Sequence, residues 1–385
     1  MITATFKVRR ATAAIVLLLS IITGQAWGEF LYTVTDLGTL GGNNIARMGS
    51  AANGINNNGQ VVGEALTSDG ETYHAFLYSS GAMRDLGTLG YVLSVGNGIN
   101  DNGQIVGDSG IGDSITHAFL YSGSGPMQDL GSLYGLHSYA SGINNDGQIV
   151  GWSHGLDNPT HAFLYSGSGP MQDLGTLGGP VSMAHAINNL GQIAGEATIR
   201  DGTHHAFLYR DGSMQDLNGF LQNLNPLVEA SWAYAINDLG QVVGKAYIDG
   251  GTSSGSTFAF LYSDGVMQNL NTLGWYSSSA LAINNKGQVV GKANNGNPYN
   301  DHAVLYSGGV MQDLNNLIDP ASGWTLTSAT GINDNGWICG TGRNPSGNTR
   351  AFLLTPVPEP STLVAFTSLS LTGIGLAAWR RRKRQ

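Results

Sequence analysis

The stretch INNNGQVVG at residues 55–63 decides the fold, because it returns six more times with the same layout. The copies begin at Ile55, Ile99, Ile143, Ile187, Ile236, Ile283 and Ile332, at steps of 44, 44, 44, 49, 47 and 49 residues. A near-constant period of this length marks stacked units, each too small to bury its own apolar face. A second pair of segments accompanies the copies, HAFLYSSGAMRDLGTLG at residues 74–90 in the first, with Phe258 and Arg350 replacing the His in two units.

One unit reads as four short strands at 52–56, 60–65, 74–79 and 83–88. Asn57, Asn58 and Gly59 join the first two and Ser80 with Gly81 the last two, residue types that accept the positive φ of a hairpin turn. Val61, Val62, Phe76, Leu77 and Tyr78 put apolar groups on both faces, as strands do when their sheet lies between other sheets. Gly density and two-residue alternation exclude helix from the unit. Four antiparallel strands in about 44 residues match the blade of a β-propeller.

The chain ends point to a closed ring. The last unit supplies three strands only (329–333, 337–341 and 350–355), while YTVTDLGTL at 32–40 is an orphan copy of the fourth. The amino-terminal strand is expected to complete the last blade, giving an all-β propeller of seven four-stranded blades with no free edge.

The repeated HAFLY, DLGTLGG and GINNNGQVVG segments resemble the HAF repeats of bacterial extracellular proteins, a resemblance that identifies the repeat and is silent on activity. Flanking segments set the destination. Residues 1–28 have a basic start (Lys7, Arg9, Arg10), an apolar run over 13–22 and small residues at Gly24 and Ala26, the plan of a secretory signal peptide. The repeat body is assigned to 29–356. At 357–385, VPEPSTL leads into a mostly apolar stretch and then the basic run RRRKR at 380–384. This order resembles the PEP-CTERM sorting signal of Gram-negative bacteria that make exopolysaccharide. The resemblance implies an exosortase-type processing partner, cleavage near Pro358, Glu359 and Pro360, a transient inner-membrane anchor through the carboxyl-terminal span, and a final place at the cell surface or in the matrix.

Between the basic ends the body carries nine Lys and Arg against twenty-five Asp and Glu, a formal charge of −16. Such a surface repels nucleic acid phosphates and anionic lipid. Cys339 is the sole cysteine, so stability rests on packing without an intramolecular disulfide.

His74, His117, His161, His205 and His302 recur once per unit at the start of the third strand, and Asp85, Asp129, Asp173, Asp216 and Asp313 recur before Leu, with Asn269 once. Spaced round a ring, these imidazoles cannot converge on one metal, and both sets read as packing, turn or ladder supports. His137, His154 and His185 lie outside the repeated columns and are placed in loops entering or leaving the third and fourth blades, where three ligands would make an open metal site; the spacing does not favour it, and no metal or cofactor is assigned. GTSSG at 251–255 matches G-x-S-x-G in form but lacks the strand-to-helix turn of a nucleophile elbow.

Aromatic residues outside the repeat are the remaining lead. Trp152, Trp232, Trp275 and Trp324, with Tyr91, Tyr139, Tyr276 and Tyr299, are placed in or beside loops that differ between units, together with Asp157 and Glu229. Flat aromatic faces beside Asp, Asn and Ser can stack on sugar rings, so Trp152, Trp232, Trp275, Trp324, Tyr276 and Tyr299 are the candidate ligand contacts. Tight NNG and SG turns fall at one end of the ring and every length change, including the long NGFLQNLNPLVEASW loop at 218–232, at the other. The expectation is an exported, non-catalytic binding or structural protein with exopolysaccharide as partner and no catalytic residues; the alternative is an exported polysaccharide hydrolase or lyase on the same scaffold.

Overall fold

The computed structural model describes residues 31–42, 48–112, 114–156, 159–249, 255–294, 296–297 and 300–358. Residues 1–28, read as a signal peptide, together with Glu359, Pro360, the apolar stretch and the basic tail, therefore lie outside the described residues, as do Asp157, Tyr299 and the first four residues of GTSSG. The described strands β1–β28 form seven separate four-stranded antiparallel sheets, the blades of the expected propeller.

The first blade is β2 (Ser50–Ile55), β3 (Val61–Leu66), β4 (Tyr73–Ser79) and β5 (Ala82–Asp85). Its fourth strand stops three residues short of the sequence reading. Asp85 ends it, because its carboxylate accepts the Gly87 N–H at 2.7 Å and turns the chain. The first turn is closed by Gly59 N–H donating to Asn56 O, with Gly59 at φ +74°, open to glycine at little cost. Gly63 meets a different demand: a Cβ there would collide with the Ala51 carbonyl on the paired strand.

Both faces of each blade are apolar, and the core is a set of clusters between successive blades. Val62, Leu77 and Leu86 of the first blade, for example, meet Ile105, Phe119 and Tyr121 of the second. Phe76, Phe119, Phe163, Phe207, Phe260 and Phe352 are fully buried, and Val304 occupies the same column in the sixth blade. Each such side chain contributes about 1.5–3 kcal/mol by leaving water, which is why the Phe of HAFLY repeats.

The ring closes as the orphan strand predicts. β1 (Tyr32–Asp36) pairs with β28 (Thr349–Pro356), from Tyr32 opposite Pro356 to Asp36 opposite Phe352, and completes the sheet containing β27 (Ile338–Arg343) and β26 (Thr325–Ile332). Asp36 accepts the Gly38 N–H as Asp85 does the Gly87 N–H, so β1 carries the fourth strand's turn chemistry as well as its register.

Closure has a second component at the inner ends of the blades. The amide Nδ2 of Asn56 donates to the backbone O of Asn100, and the same bond passes through Asn144, Asn188, Asn237, Asn284 and Asn333 back to Asn56, seven bonds of 2.9–3.1 Å. The following residues make a parallel circle. Each backbone N–H of Asn57, Asp101, Asn145, Asn189, Asp238, Asn285 and Asp334 donates to the side-chain oxygen of the next, the last returning to Asn57, at 2.8–2.9 Å. These two circles are what INNNGQ encodes, and they surround a polar cavity of about 220 Å³ at the centre of the ring.

One element departs from the sequence reading. The long loop after the fourth blade holds a helix, α1 (Asn218–Leu224), whose Leu221, together with Leu217 just before it, is buried between the fourth and fifth blades. It has room to form because this stretch holds Gly219 alone and lacks the two-residue alternation that excludes helix from the blades.

Candidate binding belt on the inner strands

The first strand of every blade is innermost, since its closing Ile and Asn line the central cavity. Its early residues pair with the second strand on a face where the repeat breaks down. After the glycine of the second strand the seven units carry Glu64, Asp108, Trp152, Glu196, Lys245, Lys292 and Thr341. Their cross-strand partners are Ala51, Val95, Tyr139, Met183, Trp232, Ser279 and Ser328. Directly opposed residues share a face and touch. A framework that repeats everywhere else therefore presents a belt in which each blade differs from the next.

The belt is richest on blades three to five. In β10 (His137–Ile143) and β11 (Ile149–His154), His137 stacks on His154 at 4.6 Å and Tyr139 on Trp152 at 5.3 Å between ring centres. Trp152 meets the edge of His185 on β14 (Ser182–Ile187), and His185 in turn meets Tyr234 on β18 (Val228–Ile236). Lys245 on β19 (Val242–Ile248) lies over the faces of Trp232 and Tyr234, 4.6 and 5.6 Å from their centres, a cation–π contact with two rings. Trp232 stacks on His204 of β16 (His204–Arg210).

Inside this circuit sits Glu196 on β15 (Ile193–Thr198), its side chain 9 % exposed. His185 Nε2 is 3.7 Å from Glu196 Oε1, and His204 Nδ1 is 3.7 Å from Glu196 Oε2, both beyond a direct hydrogen bond. Glu196 Oε2, His185 Nε2 and His204 Nδ1 are buried without a hydrogen-bond partner. Leaving such atoms unpaired costs about 1–3 kcal/mol apiece, so their convergence on one spot is a costly feature for a fold otherwise well satisfied.

Titration behaviour follows burial. Asp108, half-buried by exposure but largely desolvated, with only the Asn97 amide stabilising its charge, is pushed up to about 6. Glu64 is raised by burial and by repulsion from Asp108, and Tyr234 by burial and the nearby Glu196 charge. Burial lowers Lys245, against the opposing pull of Glu196. His137 is lowered by burial and by His154 and His117. Perturbed groups collected in one region are a probabilistic mark of function.

A cleft of about 710 Å³ opens between the fourth and fifth blades, lined by Asp201, Thr203, His205, Glu229, Trp232 and Tyr247 among others. That volume suits a ligand of several rings, and Trp232 belongs both to the cleft wall and to the belt.

Several sequence expectations change place. His137, His154 and His185 lie on strands, not in loops: β10 and β11 extend to His137 and His154, further toward the variable end than the repeat pattern suggests, and His185 falls inside β14 in the column of Asn53 in β2. Trp152, Trp232 and Tyr139 are likewise on strands. Trp275 sits in a loop, its ring against His302 at 4.7 Å, and Trp324 packs on Phe352 and the core between the last two blades. Tyr276 is exposed, and its hydroxyl donates to Gly255 O. Among the described residues no three His, Cys, Asp or Glu are arranged to hold a metal ion.

The repeated His and Asp columns turn out to be one device. His74 Nδ1 meets Asp85, and His117–Asp129, His161–Asp173, His205–Asp216 and His302–Asp313 repeat the pair at 2.6–2.9 Å. Sequence reasoning treated them separately, although strands joined by one tight turn bring residues 11 or 12 apart together. It missed Glu196, His204, Tyr234 and Lys245 altogether. The available signal was the column after the second-strand glycine, where seven aligned copies carry five different residue types.

Comparison with known proteins adds the fold and little else. Residues 182–350 match a family described as protein of unknown function, DUF3466. No curated protein matches. Among solved structures, the chain is similar to the β-propeller domain of the Trilobed protease from Pyrococcus furiosus, at 9 % identity and a TM-score of 0.50, covering 79 % of this chain and 93 % of that one. TolB from Acinetobacter baumannii aligns at 11 % identity and a TM-score of 0.43, over 82 % of this chain and 65 % of that one.

Proposed function

We propose that this protein is an exported, non-catalytic binding protein that holds exopolysaccharide at the variable end of its ring. Residues 1–28 direct export, the HAF-type repeat forms the scaffold, and the PEP-CTERM-type tail presents Pro358, Glu359 and Pro360 to an exosortase before surface or matrix placement. The observation that carries the binding role is Trp232: it walls a cleft of ligand size and, through Lys245 lying over both rings, joins the aromatic run of Tyr234, His185, Trp152 and Tyr139. Aromatic faces backed by rigid strands bind sugar rings with little loss of side-chain entropy. A second reading, a polysaccharide hydrolase or lyase, is favoured by Asp108, whose carboxyl burial holds at about 6 with Glu64 electrostatically coupled to it.

Isothermal titration of the protein with the producer's own exopolysaccharide, run beside a reducing-sugar assay, tests both readings. Heat without product supports the binding role. Product formation lost in Asp108→Asn supports the enzyme, and neither heat nor product leaves a passive structural role.

A further inference from the structure

The three unpartnered atoms around Glu196 have a shape of their own. Each carboxylate oxygen faces one imidazole nitrogen, Oε1 with His185 and Oε2 with His204, and both gaps measure 3.7 Å. A gap of this width is too long for N–H to reach the oxygen, yet one hydroxyl oxygen set about 2.1 Å to the side of the line between them would lie about 2.8 Å from each. A hydroxyl suits the position because it accepts from an imidazole N–H and donates to a carboxylate in the same instant. Two neighbouring hydroxyls would fill both gaps at once.

We propose that Glu196, between His185 and His204, is a fork that reads the vicinal diol of a neutral sugar residue. The inference rests on the glycan-binding reading above and names the chemistry that gives it selectivity. Other ligand classes fit less well. An anionic sugar meets Glu196 in a body of formal charge −16. A cationic one meets Lys245, already held over Trp232 and Tyr234 beside the same carboxylate. Access is through His204, whose side chain is 35 % exposed and lies on Trp232, the residue that walls the cleft.

The test uses the full-length chain and two samples of the producer's exopolysaccharide, one untreated and one opened at its vicinal diols with periodate and reduced with borohydride. The untreated polymer is expected to bind, with the treated polymer and the Glu196→Gln variant each at least about ten-fold weaker, as loss of hydrogen bonds to a charged group implies. Equal binding of both polymers, or of wild type and E196Q, overturns the diol fork while leaving the glycan reading intact. No binding of either polymer to the wild type overturns both. If E196Q does not fold, His204→Ala at its part-exposed site is measured in its place. The wild-type imidazole signals of His185 and His204 are then followed during titration with methyl mannoside and its 3-deoxy counterpart, which has no vicinal hydroxyls. Shifts with the first sugar alone support the fork, and matching shifts with both overturn it.

Discussion

The two ends of the inner strands solve opposite problems with the same backbone. At the closing end, seven asparagines make seven equivalent bonds, and each side chain also ties its own turn; Asn188, for example, accepts from the N–H of Leu190 and Gln192 while donating to Gln192 and to Asn237 O. At the variable end the second strands paired with them carry carboxylates, lysines, a threonine and Trp152, and three of the five buried side-chain atoms without a hydrogen-bond partner among the described residues gather around Glu196. Identity between units is what closing a ring demands. Difference between units is what recognising an asymmetric ligand demands, and the satisfied end supplies the stability that the unsatisfied end gives up.

The sharpest way to break this division is at the ring's seam. Deleting residues 32–36 from the full chain strips the edge from β28 and removes Tyr32 from the last core cluster. We expect the largest loss of all, a lower and broader melt with exposed-edge association, read by calorimetry and light scattering. An unchanged melt would mean that the two asparagine circles close the ring without the strand.

Next in size is Asn188→Ala. It removes a buried amide with bonds to two blades, and about 2–6 kcal/mol should be lost in urea unfolding, four hydrogen bonds at about 0.5–1.5 kcal/mol each. A cost below about 1 kcal/mol would reduce the circle to a by-product of packing.

The belt carries a pH signature. Burial raises the Asp108 carboxyl from 3.8 to about 6 in the folded state, so the folded protein binds the proton more tightly than the unfolded chain. Its contribution is fully present below about pH 4 and is lost as pH rises through about 6. Asp108→Asn should flatten this window and gain about 1–3 kcal/mol at pH 7, a change of order two pKa units. A wild-type stability curve with no fall between pH 4 and 6 would contradict the burial argument.

The smallest effect on stability separates the tryptophans. Trp232→Ala should weaken polysaccharide binding by about 1–3 kcal/mol, as loss of a large stacked face does, and leave the melt nearly unchanged. Trp324→Ala should do the reverse, since its ring packs on Phe352 and the last core cluster. If both alter the same property, the variable end is not divided into packing and binding parts.

How much of this was legible follows from the same contrast. Period, strand count, the closing role of YTVTDLGTL and the two-sided burial of HAFLY could all be read because repetition averages out local ambiguity. The belt was harder. Trp152 looked like a loop residue because it broke the repeat, yet it is a strand residue for which breaking the repeat is the purpose. Glu196 was invisible for another reason: its neighbours in space, His185, His204, Tyr234 and Lys245, come from four strands over two blades, and no spacing along the chain announces them. Helix α1 was hidden by the composition of the units around it.

The asparagine circle also works as a gauge of number. Every Nδ2 points onward to the next unit in the same rotational sense, and the seventh reaches the first at 3.0 Å, the same span as the others. Each bond fixes the angle between neighbours, so one unit more or fewer would leave every remaining bond stretched or compressed. Duplicating a repeat in this gene would thus not lengthen the protein by one blade; it would leave a unit with no place in the circle, hanging from a ring that had already counted to its end.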